Sequence, residues 1–362
     1  MPKPYIVIMA GGRGERFWPQ SRLRRPKHLL PIVGETSMLG QTLDRLEGLA
    51  PVENILVVTN TEQREAILEI CPQLLPENVI GEPFGRDTAP AVGLAAMLVK
   101  RRDPEAVFAI LPADHVIHDS AGFRRVMRAA LEAALAEPVL VTIGIQPTYP
   151  ATGYGYIRKG KVWRSFEGLE AYRVEGFVEK PDLETARGYL DSDEYFWNAG
   201  MFIWRVSTIE AAFAAHAPAH HAAFTALNAE LDQGVDLDAA MAQHYPQMEK
   251  ISVDFAIMEK AENVVTLPSA FDWDDVGEWP AVARHHKADA SGNVIKGQGK
   301  VLAGKDNIVI NTPGHLTALI GVDDLIVVQT EDATLVCPKD RAQEIKALVK
   351  ELGQDKALEH LT

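Results

Sequence analysis

Three glycines and six basic side chains crowd one short stretch near the N-terminus, Gly11-Gly12-Arg13-Gly14-Glu15-Arg16-Phe17-Trp18-Pro19, continuing to Pro26-Lys27. Lacking a Cβ, residues 11, 12 and 14 can turn successive backbone N–H groups toward one anion. Arg13, Arg16, Arg22, Arg24, Arg25 and Lys27 set six positive charges within fifteen residues, against a single acid, Glu15. The whole chain carries a formal charge of −14, so this stretch is a local reversal of sign. The chemistry it suits is the binding of polyphosphates. A second group is Asp114, at the end of the apolar run Ile110-Leu111-Pro112-Ala113. Folding of a buried strand explains an acid there poorly, and it reads as a Mg²⁺ ligand held on a rigid element facing the phosphates. A third is the trio Asp272, Asp274 and Asp275 among Phe271, Trp273 and Trp279, whose mutual repulsion is relieved if one acid binds a cation.

The spacing of the glycines excludes two other phosphate loops. It is neither G-x-x-x-x-G-K-[ST] nor G-x-G-x-x-G, and the second strand ends in Thr59-Asn60-Thr61 without the acid a dinucleotide fold places on ribose. The elements that must carry these residues alternate. Strands are expected at 5–10, 54–59, 78–81, 106–111 and 138–145, with helices at about 37–49, 61–70, 88–102 and 121–136. That alternation implies a mostly parallel, doubly wound sheet with ligands at the carboxyl ends of its strands. The segment Gly81-Glu82-Pro83-Phe84-Gly85-Arg86-Asp87-Thr88-Ala89-Pro90 reads as a helix entry, with Asp87 or Thr88 able to cap the helix beginning near Pro90. From about residue 146 tyrosine and glycine replace the helical alternation, and 207–247 is alanine-rich and helical. His220-His221 and His285-His286 read as surface, because adjacent residues do not share a helix face. Ser252–Glu259 reads as an amphipathic helix capped by Ser252. After a boundary at 287–292, short strands at 307–311, 317–322, 325–329 and 333–336 precede a helix at 341–352.

A chain of 362 residues is long enough for one large and one smaller domain. No apolar run approaches the roughly 20 residues of a membrane span, and the N-terminus has no signal-peptide pattern. Two cysteines, Cys71 and Cys337, lack metal-type spacing, which points to a reduced cytoplasmic protein. The acidic balance argues against a nucleic-acid partner.

The run Gly11-Gly12-Arg13-Gly14-Glu15-Arg16-Phe17-Trp18-Pro19-Gln20-Ser21-Arg22, with Arg25-Pro26-Lys27, resembles the signature of sugar-nucleotide pyrophosphorylases, and its F-W-P-x-S-R form most resembles the mannose-1-phosphate guanylyltransferases. Further segments match the same pattern in order: Gly81–Ala91, Leu111–His115, Gly153–Ile157, Phe177–Pro181, Trp197–Gly200, Ser252–Glu259 and Trp273–Gly277. The resemblance implies an α/β fold, a Rossmann-like doubly wound mixed sheet of nucleotidyltransferase, glycosyltransferase-A-like type, with a small C-terminal β-rich (partial β-helix) domain. Residues 1–288 would form the catalytic domain and 289–362 the small β-rich domain with its terminal helix. It implies GTP and mannose-1-phosphate as substrates and Mg²⁺ as cofactor. The C-terminal domain holds few candidate catalytic groups, so it is assigned to packing or to oligomer contacts such as a homodimer, and composition leaves neither nucleic acid nor membrane as an expected partner. Residue by residue it implies nucleotide binding by Ala10, Gly11, Gly12, Arg13, Gly14, Arg16 and Lys27, and base contact by Glu82, Arg86, Asp87 and Thr88. Sugar-phosphate binding falls to Gly155, Glu179, Lys180 and Asn198. Arg16, Lys27, Asp114 and Asp275 are the expected catalytic set, with Asp114 and Asp275 as the metal ligands. Glu278 stands where many members have a small polar residue, and Asp87 where Asn is frequent. The chain ends before the isomerase domain that some members append. Another sugar-1-phosphate with UTP, dTTP or ATP is the alternative substrate set, and a non-catalytic nucleotide-sugar sensor the alternative class.

Overall fold

The computed structural model describes residues 3–362, which fall into two compact units. One unit comprises the chain to Gly11, Leu43–Ala113 and Ile117–Trp273. Its centre is a nine-stranded mixed sheet: β1 (Tyr5–Ala10), β2 (Ile55–Asn60), β3 (Val79–Glu82), β4 (Val107–Pro112), β5 (Leu140–Ile145), β6 (Gly155–Phe166), β7 (Leu169–Glu179), β8 (Tyr195–Arg205) and β9 (Val264–Pro268), in the order β3-β2-β1-β4-β8-β5-β9-β7-β6. The apolar runs Ile6–Ile8 and Leu56–Val58 are fully buried, as expected of strands covered on both faces. β1 to β4 pair in parallel, with Ile8 opposite both Val57 and Leu111. β8 enters antiparallel between β4 and β5, so the sheet is mixed.

Helices Thr88–Arg102 and Ser120–Ala136 return the chain between parallel strands, each opened by an aspartate cap: Asp87 Oδ1 accepts from Thr88 N and Asp119 Oδ1 from Gly122 N. The expected helix after Ser252 is a single π turn, Asp254–Met258, with Ser252 Oγ accepting from Phe255 N. Two surface expectations are corrected. His220 is buried, with a ring nitrogen 3.1 Å from the Glu249 carbonyl, and His285 sits 2.9 Å from Asp274 Oδ2. Adjacent histidines cannot share a helix face, but one of each pair can still turn inward.

The second unit comprises Gly12–Thr42, Asp114–Val116 and Asp274–Thr362. Its C-terminal part is a short β-helix. β10 (Val294–Lys296), β12 (Ile308–Ile310) and β14 (Leu325–Gln329) stack in parallel, with Ile308 opposite Val294 and Ile326; β11 (Gln298–Leu302) and β13 (Leu316–Ile320) form a second parallel face, and β15 (Thr334–Pro338) closes on β14 antiparallel. Buried Asn307 ties a corner: its Nδ2 donates to Asn293 Oδ1 (3.0 Å) and Val322 O (2.8 Å), and its Oδ1 accepts from Leu325 N (3.0 Å). One apolar core joins Phe17, Trp18, Val276, Trp279, Ile308, Ile326, Ile345 and Val349. The glycine-rich signature, the Asp275 segment, the β-helix and the terminal helix Ile345–Leu352 are therefore packed as one body. Among the described residues, no helix is long and apolar enough to cross a membrane.

Candidate active site

Gly14 is the hinge of the basic loop. Its φ is +65°, and it caps the 3₁₀ turn Glu15–Phe17 by accepting from Phe17 N (2.8 Å) and Ser21 Oγ (2.7 Å). A Cβ there would lie 2.4 Å from Lys27 Cβ, so the glycine is what lets Lys27 approach. Lys27 is buried at 5% exposure and its ammonium is held by three protein oxygens: Asp114 Oδ2 (2.8 Å), Asp114 O (3.0 Å) and Asp275 O (2.7 Å). An ammonium has three N–H donors, and here each has an oxygen. Asp275 is delivered by a strained turn: the buried, β-branched Val276 that follows has φ +43°, an outlier for that residue type.

Burial opposes ionisation of Asp114, but Lys27 and then His115 overcome it and hold the carboxyl down to about 2. Buried His28 is pushed down to about 4, chiefly by desolvation, and is neutral at pH 7. Arg13, Arg16, Lys27, Asp114 and Asp275 line one cavity of about 440 Å³, and Lys346 from the terminal helix joins them. Of the six expected cations, Arg22 does other work, donating to the Leu361 carbonyl and to Asp332 Oδ1.

The crowding of acids near Trp273 is resolved by separate protein partners. Asp272 accepts from the backbone N–H of His118 and Asp119. Asp274 accepts from Arg284 Nε and Nη2 at 2.7 Å each and from Val276 N (2.8 Å), which together with His285 hold it below the usual carboxylate range despite burial.

In the other unit, Ala10 and Gly11 leave β1 with their carbonyls fixed by Thr59 Oγ1 (2.9 Å) and Asn60 Nδ2 (3.0 Å). Glu82, at the end of β3, is buried at 6% exposure; its Oε1 accepts from Tyr245 Oη (3.1 Å), and its Oε2 lies 3.9 Å from where a Cβ on Gly11 would be. Burial pushes the Glu82 carboxyl up to about 7, against the pull of the Tyr245 hydroxyl. Arg86 donates through Nη2 to Pro246 O (2.8 Å). Asp87 caps the helix at φ +69°, and Thr88 Oγ1 accepts from Val253 N (2.8 Å).

Gly155, Glu179, Lys180 and Asn198 gather in the same unit. A Cβ on Gly155 would fall 2.5 Å from Glu179 Oε2 and 3.4 Å from Asn198 Cβ, so the space it leaves is taken by the Glu179 carboxylate. Lys180 adopts φ +50° and turns its ammonium back to Glu179 Oε1 (2.8 Å). Asn198 accepts from Thr142 Oγ1 (3.0 Å) and Gly200 N (3.2 Å), and donates to Asp254 Oδ1 (2.9 Å). Asp254 is raised to about 7, by burial first and then by the Glu179 charge.

Three residues of these clusters escaped the sequence reading. Tyr245 stands alone in a His-Tyr-Pro turn, with nothing in its neighbours to mark it. Asp254 lies in a segment that a capped helix already explained. Lys346 is one of two lysines on an amphipathic helix.

Residues 5–292 match the nucleotidyl transferase family, and residues 300–352 match the MannoseP isomerase/GMP-like beta-helix domain. The chain is 40% identical to a mannose-1-phosphate guanylyltransferase of Escherichia coli K12 over 99% of its own length and 75% of that protein. It is 38% identical to one from Sinorhizobium fredii over 100% of its length and 70% of the relative. A crystal structure described as a mannose-1-phosphate geranyltransferase from Thermus thermophilus superposes with a TM-score of 0.85 at 38% identity, covering 97% of this chain and 99% of that one.

Proposed function

The chain belongs to the nucleotidyl transferase family, in its mannose-1-phosphate guanylyltransferase branch, and from that premise we propose that it joins GTP to mannose-1-phosphate, forming GDP-mannose and pyrophosphate. The observation that carries the reading is the cavity in which Arg13, Arg16 and Lys27 meet Asp114 and Asp275.

An oxygen of the sugar phosphate attacks the α-phosphorus of GTP in line; the new P–O bond forms as the bond to the β-phosphate oxygen breaks, and pyrophosphate leaves. The nucleophile is already an anion, so no proton has to be removed. The protein's task is to hold two polyanions together and to stabilise the charge that builds on the leaving group. Arg13, Arg16 and the N–H groups of the Gly12–Gly14 turn bind the β- and γ-phosphates. Lys27 fixes Asp114 and the Asp275 carbonyl and supplies positive charge beside the reacting phosphorus.

The donor set fits Mg²⁺, which takes one or two carboxylates and completes its shell with water and substrate phosphate oxygens. Asp114, fully ionised at neutral pH, and Asp275 would hold it. When bound, the ion neutralises charge on the phosphate oxygens. Glu82, oriented by Tyr245, accepts from the guanine N1 and N2 edge, with Arg86, Asp87 and Thr88 shaping the loop beside it. Glu179 and Asn198 bind sugar hydroxyls and Lys180 the sugar phosphate, with Gly155 giving room for Glu179.

Residues 1–288 are assigned to catalysis and 289–362 to the β-rich domain. The exposed Leu302, Leu316 and Ile320 on the face of β11 and β13 favour a homodimer through that domain, and the compartment we infer is the cytoplasm. The test is pyrophosphate release with Mg²⁺, pairing mannose-1-phosphate or glucose-1-phosphate with GTP, ATP, UTP and dTTP. Release with GTP and mannose-1-phosphate, abolished by EDTA, is the expected result; release confined to another pair overturns the substrate assignment.

A further inference from the structure

We propose that Lys346, from the helix that follows the β-helix, binds the leaving pyrophosphate, so that the C-terminal domain supplies part of the triphosphate site. The proposal rests on the function argued above and extends it to a residue outside the nucleotidyl transferase match.

Three observations support it. First, Lys346 lines the same cavity as Arg13, Arg16 and Lys27, in the same compact unit. Second, its backbone is fixed rather than loosely tethered. Ile345 and Val349, which flank it along the helix, are 3% and 8% exposed within the core that contains Phe17 and Trp279, and the helix packs directly on the turn Glu15–Phe17 that carries Arg16. Gln343 Nε2 donates to Glu278 Oε2, which ties the approach to this helix to the segment bearing Asp275 and Gly277. Third, the charge balance of the cavity calls for it. Lys27 directs its ammonium to Asp114 and to the Asp275 carbonyl, leaving Arg13 and Arg16 as the loop's cations toward a leaving group that carries three or more negative charges.

Lys346 itself is exposed, on a long flexible stem that reaches into the cavity from a rigid anchor. Pyrophosphate leaves by breaking its bond to the α-phosphorus, and the charge that develops on its bridging oxygen is stabilised by cations contacting the β- and γ-phosphates. Lys346 therefore belongs with the end of the triphosphate that departs, not with guanine or mannose.

The experiment is the reverse reaction, pyrophosphorolysis of GDP-mannose, in which KM for pyrophosphate and KM for GDP-mannose separate. Lys346→Ala should raise KM for pyrophosphate about tenfold or more, the scale of one charged hydrogen bond, with KM for GDP-mannose unchanged. Lys346→Arg should restore most of the loss. Lys350→Ala, on the same helix but outside the cavity lining, should behave as wild type. An unchanged pyrophosphate KM in Lys346→Ala, or an equal rise for both substrates, overturns the proposal while leaving the function intact. Wild-type protein that performs no pyrophosphorolysis removes the function and this inference together.

Discussion

Lys27 shows how a residue can be legible in type and not in role. Its place in a basic cluster predicted a cation near phosphates, and it lines that cavity. What the sequence did not reveal is that all three of its hydrogen bonds run to Asp114 and to the carbonyl of Asp275, residues 87 and 248 positions away. Long-range partnerships of this kind leave no local spacing to read. Glu82 carries the sharper consequence. Its carboxyl is raised to about 7 by burial, so below that pH it is protonated and one of its two oxygens turns from acceptor to donor, which weakens the proposed contact with the guanine N–H edge. KM for GTP is therefore expected to rise as pH falls from about 8 to about 6, and Glu82→Gln should bind GTP weakly with a much flatter profile. Titration of GTP itself acts on both proteins, so the difference between the two profiles isolates Glu82. Matching profiles would remove Glu82 from the base site. The raised carboxyl depends on burial that only the fold creates, and it persists against the hydrogen bond from Tyr245; the motif Gly81–Ala91 marked the position, but not its protonation.

At the scale of elements, strands and helices in the first 150 residues were readable because hydrophobic period and turn residues agree there. β1 falls at its expected bounds, and the helix Thr88–Arg102 begins at the aspartate cap. The antiparallel insertion of β8 between β4 and β5 was not readable, since partner choice in a sheet is decided by packing rather than by local pattern. Nor was the interleaving of Gly12–Thr42 with the C-terminal β-helix in one unit, which brings Lys346 to the basic loop's cavity. The loop gives an element-scale prediction. Because Gly14 combines φ +65° with a would-be Cβ 2.4 Å from Lys27 Cβ, Gly14→Ala must displace either the turn or the lysine. Turnover should fall by roughly 10²–10³, the usual cost of losing one preorganised electrostatic group. A far-UV circular dichroism spectrum like that of wild type would show that the remainder stays folded. Near-normal kcat in Gly14→Ala would mean that the close approach of Gly14 and Lys27 has no part in catalysis.

The whole molecule is an acidic protein that concentrates cations at one cavity. With a formal charge of −14, its general surface repels polyanionic substrates, and the local field of Arg13, Arg16, Lys27 and Lys346 has to overcome that repulsion. A site built this way suits direct transfer between two bound anions. Neither the cavity nor the reaction requires a nucleophilic side chain, because the sugar phosphate attacks for itself. The most direct measurement follows a label on the α-phosphorus of GTP. The account predicts that the label passes to GDP-mannose only when mannose-1-phosphate is present, with none on the protein and none in the released pyrophosphate. Label that becomes attached to the protein, or that appears in pyrophosphate, would contradict it.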